Sequence, residues 1–172
     1  MSGVWLPATH RHPIGILDHG RRPETKGVVI HVNDGNFDGT ISWFSGGSGG
    51  VGAHVEIGAD RVWQLVDLNA KCWHAVDANA FAIGIEHAGF GRSRAEWLDA
   101  GHELAYSANR VAWILHRYNL GQPHYGHNIW PHSWGGVAWG NHACPGPAFP
   151  WDVWLRLCND AYFGHWGHHG AW

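Results

Sequence analysis

The chain has 172 residues, 45% of them apolar and only 15% charged, with a formal net charge of −3 at neutral pH. That length suits one globular domain with its own core, and the composition excludes a disordered chain or a coiled coil. No basic block offers an electrostatic footprint for nucleic acid, and no run approaches the roughly 20 apolar residues that span a bilayer.

From the N-terminus, Pro7, His10, His12 and Pro13 interrupt the chain before any apolar run builds, so no secretory signal is visible. Residues 1–26 are expected to form an arm that also carries His19. Residues 27–32, Gly-Val-Val-Ile-His-Val, read as a buried strand, because they are β-branched and apolar on both faces. A polar loop over 33–39 and a short helix over about 38–44 follow, with Asp38 as the expected N-cap. The Gly/Ser run 46–50 fits either a plain connector or the rim of a groove for a long substrate. Residues 53–57 and 61–66 flank Gly58-Ala59-Asp60 and predict a β-hairpin.

Residues 81–86 read as another strand. The clearest helix runs over 93–118, with Ser93 and Glu96 forming a capping box. Its apolar stripe passes through Trp97, Leu104, Ala108, Val111, Ala112 and Leu115. Residues 124–150, rich in Gly, Pro and Trp, predict an ordered irregular loop, and 151–162 a last helix opened by Pro150. The tail 163–172 carries His165, His168 and His169, which could gather metal adventitiously. With no internal repeat and no linker, this order predicts one α/β domain over 27–162, a central mixed β-sheet flanked by helices.

Sixteen His and three Cys make metal ligands easy to find, so only a histidine on the right element counts. The odd number of cysteines argues against a disulfide framework. His31 closes an apolar strand just before a polar loop, where a ring can be held rigidly at the edge of a site. A hydrogen-bonded core histidine fits the same pattern. Cys144 lies in His-Ala-Cys-Pro-Gly-Pro, which offers little core to fill. A thiolate with two imidazoles makes a good zinc set that leaves a fourth position for water. In residues 81–86, Ala82, Gly84 and Glu86 share one face, so the carboxylate sits beside open space, as a general base requires. A surface glutamate fits equally well.

Five segments occur in order: Val29-Ile30-His31-Val32, Gly52-Ala53-His54-Val55, Ile83-Gly84-Ile85-Glu86, Gly126-His127 and His142-Ala143-Cys144-Pro145-Gly146-Pro147. Together they resemble the type 2 N-acetylmuramoyl-L-alanine amidases, a family that also holds peptidoglycan-recognition proteins and phage endolysins. The resemblance implies an amidase-like fold and one catalytic Zn²⁺ on His31, His127 and Cys144. It implies Glu86 as the catalytic carboxylate, His142 as a catalytic assistant, and His54 and His74 (in Trp73-His74-Ala75) on the substrate side. The implied reaction is hydrolysis of the amide between the lactyl group of N-acetylmuramic acid and L-alanine, with bacterial peptidoglycan as partner and a monomer as the working form. The absent signal and the abundance of Trp and His point to an endolysin, made in a host cytoplasm and released to the wall. A secreted protein with a trimmed signal is the alternative.

Three departures stand out. Ala53 replaces a tyrosine common in the family, and Asn128-Ile129-Trp130 replaces the usual charged residues after the Gly-His pair. The stretch from His127 to Cys144 is also long, and it holds His132 as a rival second ligand. Other functions remain open: a non-catalytic recognition module, a hydrolase using Cys144 as nucleophile, or a metal-storage protein.

Overall fold

The structure, a computed structural model, describes residues 3–166. Six strands form one mixed sheet: β1 (His10–Arg11), β2 (Gly27–Val32), β3 (Val55–Ile57), β4 (Val62–Gln64), β5 (Ala82–His87) and β6 (Ile129–Pro131). Their order is β1-β4-β3-β5-β2-β6, with β3 and β4 the antiparallel hairpin and the other neighbouring pairs parallel. The expected fold class is therefore found. The segment read as an arm adds an edge strand, and its Leu6, Ile14 and Leu17 are buried.

Alternation along β2 and β5 divides the sheet into two faces. Val28, Ile30, Val55, Ile57, Ile83, Ile85 and Ile129 point to one side. There they pack beneath α3 (Gly101–Arg117) and α4 (Trp151–Ala161). Val29, Ala82 and Trp130 point to the other side, against Trp139 and the turn at 76–80. The same alternation sends His31, Glu86 and Glu56 to this second face, in one row across β2, β5 and β3. The site is built on that row.

Helix α1 (Phe37–Gly46) is capped by Asn36, whose side chain accepts the Gly39 N–H, and not by Asp38. The capping box forms as expected: Glu96 accepts the Ser93 N–H, and Ser93 accepts that of Glu96. The single helix expected over 93–118 is two, α2 (Arg94–Asp99) and α3, broken at Ala100-Gly101. Glycine is the weakest ordinary helix former, so the break falls where propensity is lowest. The predicted stripe is buried throughout. Asn119, in the left-handed region, ends α3 in a Schellman pair, its N–H reaching the His116 carbonyl and that of Leu120 the Leu115 carbonyl.

The region 124–150 is ordered, as expected, but it contains β6 and a 3₁₀ segment, His132–Trp139. The side chain of His165 and residues His168 and His169 lie outside what is described, so the expected metal-gathering tail has no structural account. Among the described residues no helix is long and apolar enough to cross a membrane.

Candidate metal centre and active groove

Parallel pairing brings the chemistry to the carboxyl ends of β2, β5 and β6. Ile30 lies beside Pro131, so the next residues along, His31 and His132, lie side by side. Their rings are 4.4 Å apart, centroid to centroid. Ser133 N–H donates to the Cys144 carbonyl at 2.9 Å, which returns the later loop to the end of β6. The Val32 N–H donates to Cys144 Sγ at 3.0 Å and pins the sulfur to the end of β2. One donor atom from each of His31, His132 and Cys144 lies within 4.8 Å of the others, a set that could hold a metal ion.

His127 does not join this set, which corrects the expectation carried over from the Gly-His pair. It lies two residues before β6 begins at Ile129, whereas the register puts His31 level with the residue that follows the strand's other end at Pro131. It sits in the exposed turn before β6, against the ring of His124. The second imidazole is His132, reached at the far end of the same strand. The signal in the sequence was the spacing of Trp130 and His132 on one face of a strand, and the three-residue strand hid it.

The donor chemistry fits zinc. His132 Nε2 lies 2.8 Å from the Trp139 carbonyl, which can only accept, so Nε2 carries the proton and Nδ1 keeps its lone pair. His31 Nε2 lies 3.1 Å from His74 Nδ1, which leaves its own Nδ1 for the cluster. Burial pushes the pKa of His31 well below the ordinary imidazole value and also lowers that of His132, so both rings are neutral, as ligation requires. Burial and then Glu86 push the Cys144 thiol up to about 12, so a cation would be needed to hold it as thiolate near neutral pH.

Glu86 lines the same groove and is 8% exposed. Burial first, then the charge of Asp34, pushes its carboxyl up to about 8. Among the described residues none donates a hydrogen bond to it, so its oxygens are free for water. His142 is exposed and stacks on His132, 4.5 Å between ring centroids and 16° between planes. The groove has a volume of about 570 Å³, and its lining also includes Trp43, Val51 and residues 144–148.

His54 and His74 were expected to meet substrate. His54 does not: it is fully buried, its Nδ1 accepting the Gly84 N–H at 3.0 Å while Nε2 meets the Ala70 carbonyl. It ties the chain before β3 to the β5 backbone, its ring next to that of His74. His74 does line the groove, although its polar atoms are turned to protein. One acidic residue escaped the sequence reading. Glu56 is fully buried one strand from Glu86, held by the Asn33 amide, and burial followed by Glu86 raises its pKa well above the ordinary value. Of the tryptophans in the long loop, Trp134 is exposed, while Trp130 and Trp139 are core.

The sequence profile of the N-acetylmuramoyl-L-alanine amidases matches residues 20–147, most of the chain and all three donors. This chain belongs to that family. Among relatives of this amidase-family chain, N-acetylmuramoyl-L-alanine amidase A of Achromobacter lyticus is 36% identical over 98 residues, 56% of this chain and 52% of the relative. The chain thus spans about half the length of that curated relative. Hydrolase AmiA of Staphylococcus aureus, solved with its ligand, superposes with a TM-score of 0.80 at 18% identity, covering 98% of this chain and 90% of AmiA. A mutant endolysin from Bacillus subtilis gives 0.66 at 17% identity, covering 89% and 99%. These likenesses establish that the amidase-family chain has the fold of those catalytic domains.

Proposed function

We propose that the protein is a zinc-dependent amidase that hydrolyses the bond between the lactyl group of N-acetylmuramic acid and L-alanine in bacterial peptidoglycan. The observation that carries this is the gathering of His31, His132 and Cys144 at the floor of a groove that Glu86 also lines. Family membership supplies the substrate class.

Bound by these three residues, zinc would supply a Lewis acid for the scissile carbonyl and make water a stronger acid. In its ionised form Glu86, without a donor of its own, accepts the proton of the attacking water. It then returns a proton to the amine of L-alanine as the C–N bond breaks, leaving a free carboxylate on the lactyl group. His142 donates an N–H to the carbonyl oxygen as negative charge develops there; one such donor is typically worth about 2.7–4 kcal/mol. The exposed Trp43 and Trp134 suit contact with sugar rings. A Cys144 nucleophile is less well supported, because burial and Glu86 push its thiol up to about 12, away from the thiolate that attack requires. A purely recognising module would have no use for Glu86 beside a complete donor set.

The test is mass spectrometry of purified peptidoglycan after digestion. The expected products are stem peptides with a free N-terminal L-alanine and glycans with intact lactyl groups, with loss of activity in chelator and recovery on adding Zn²⁺. A cut elsewhere, or full activity in chelator, overturns the reading. We extend it to an endolysin role, supported by the shared fold with an endolysin and the richness in Trp and His. Lysis of intact cells by the added protein would test that role, and inert cells alongside digested wall would count against it.

A further inference from the structure

The hydrogen bonds behind the donor set make a one-way chain. His74 Nε2 lies 3.1 Å from the Ala82 carbonyl, and His74 Nδ1 lies 3.1 Å from His31 Nε2. A carbonyl only accepts, so His74 Nε2 must carry hydrogen. A neutral imidazole carries one hydrogen, so His74 Nδ1 is an acceptor and His31 Nε2 must be the donor. His31 Nδ1 is then left as a lone pair on the side of His132 and Cys144.

We propose that His74 is a positioning residue for the metal centre: it transmits the fixed polarity of the Ala82 carbonyl to His31 and locks the ring in the tautomer that presents Nδ1 to the ion. The inference rests on the zinc reading above and deepens it. Metal-bound histidines generally need such a partner to fix tautomer and orientation. Here the partner is another imidazole, and the protein builds a seat for it. A Cβ at Gly84 would come within 2.7 Å of His74 Cγ, so the ring lies flat on bare β5 backbone. The Asn79 side chain accepts the N–H groups of both His74 and Ala75 at 2.8 Å, fixing the strap that delivers the ring. His74 is also enclosed, at 8% exposure, with neither nitrogen left for substrate.

Two variants of the full chain separate this role from simple packing. His74→Phe keeps an aromatic ring over Gly84 and removes the acceptor. His74→Asn places an amide oxygen where Nδ1 was and restores it. The readouts are zinc affinity of the metal-free protein by chelator competition, and the His31 tautomer by long-range ¹H–¹⁵N correlation of labelled imidazoles. His74→Phe should bind zinc about 10–100-fold more weakly and show His31 as a mixture of tautomers, and His74→Asn should recover most of the affinity and the single tautomer. Wild-type zinc affinity and an unchanged His31 tautomer in His74→Phe would overturn the proposal. Should His74→Phe fail to fold, weak zinc binding by a folded His74→Asn with mixed His31 tautomers would overturn it as well. Failure of the unsubstituted protein to bind zinc would overturn the metal-centre reading itself and this inference with it, an outcome distinct from the other two.

Discussion

His87 provides a test of the site's scaffold in which both sign and size can be worked out. Its ring is fully buried on the helix side of β5, where Nδ1 donates to the His31 carbonyl at 2.9 Å and Nε2 meets the Ser107 hydroxyl at 2.7 Å. Burial pushes its pKa from 6.5 down to about 4. The folded value lies below the unfolded one, so the neutral ring's contribution is fully present above pH 6.5 and is lost as pH falls toward 4. By linkage the loss is about 1.4 kcal/mol at about pH 5.5, under about 0.1 kcal/mol at about pH 7.5, and about 3.4 kcal/mol in the acid limit. His87→Asn keeps a donor toward the His31 carbonyl and removes the titration. Urea unfolding of the metal-free proteins at the two pH values should show the wild type losing about 1.4 kcal/mol more than the variant. Other titrating groups cancel in that difference. Parallel stability curves for the two proteins would refute the reasoning, whatever the absolute cost of the substitution.

Three further outcomes follow. His132→Ala should abolish retention of one zinc per chain after dialysis, measured by atomic absorption, while His127→Ala should leave it intact; the reverse pattern would restore the Gly-His pair as the ligand. Glu86→Gln should keep zinc but lower amide hydrolysis by about 10²–10⁴-fold, the usual worth of a general base, and an activity within a few-fold of wild type would remove Glu86 from the mechanism. Gly84→Ala must push against the His74 ring and should cost about 1–3 kcal/mol in thermal unfolding. An unchanged melting temperature would show that the seat is not tight.

Much of the fold could be read from local patterns long enough to carry a period. The apolar run at 27–32, the hairpin around Gly58 and the stripe from Trp97 to Leu115 all met that condition, and the structure has a strand, a hairpin and a helical face there. The same alternation placed Glu86 on the face shared with Ala82 and Gly84. The part of the site that depends on non-local pairing was not legible. Residues 129–131 are too few to show a period, and Pro131 reads as a loop residue, although an edge strand tolerates it. The sequence therefore offers His132 only as a rival to His127, whose Gly-His dipeptide fits the family pattern although it lies in the turn before the strand. His54 misled for a related reason: its position in sequence does not reveal that both ring nitrogens are engaged by backbone.

The excursion from His132 to Cys144 closes on itself, because the Trp139 carbonyl holds the ring at its start and the Cys144 carbonyl takes the next N–H, that of Ser133. Its two ends are therefore one mechanical unit, and the chain between them is free to vary only where it leaves that knot intact. Val137, the most solvent-accessible large apolar side chain described, marks a place where residues could be inserted or a tag grafted without disturbing the ligands. Gly140 and Asn141, two successive left-handed residues, turn the chain back toward Cys144 and mark where such grafting should stop.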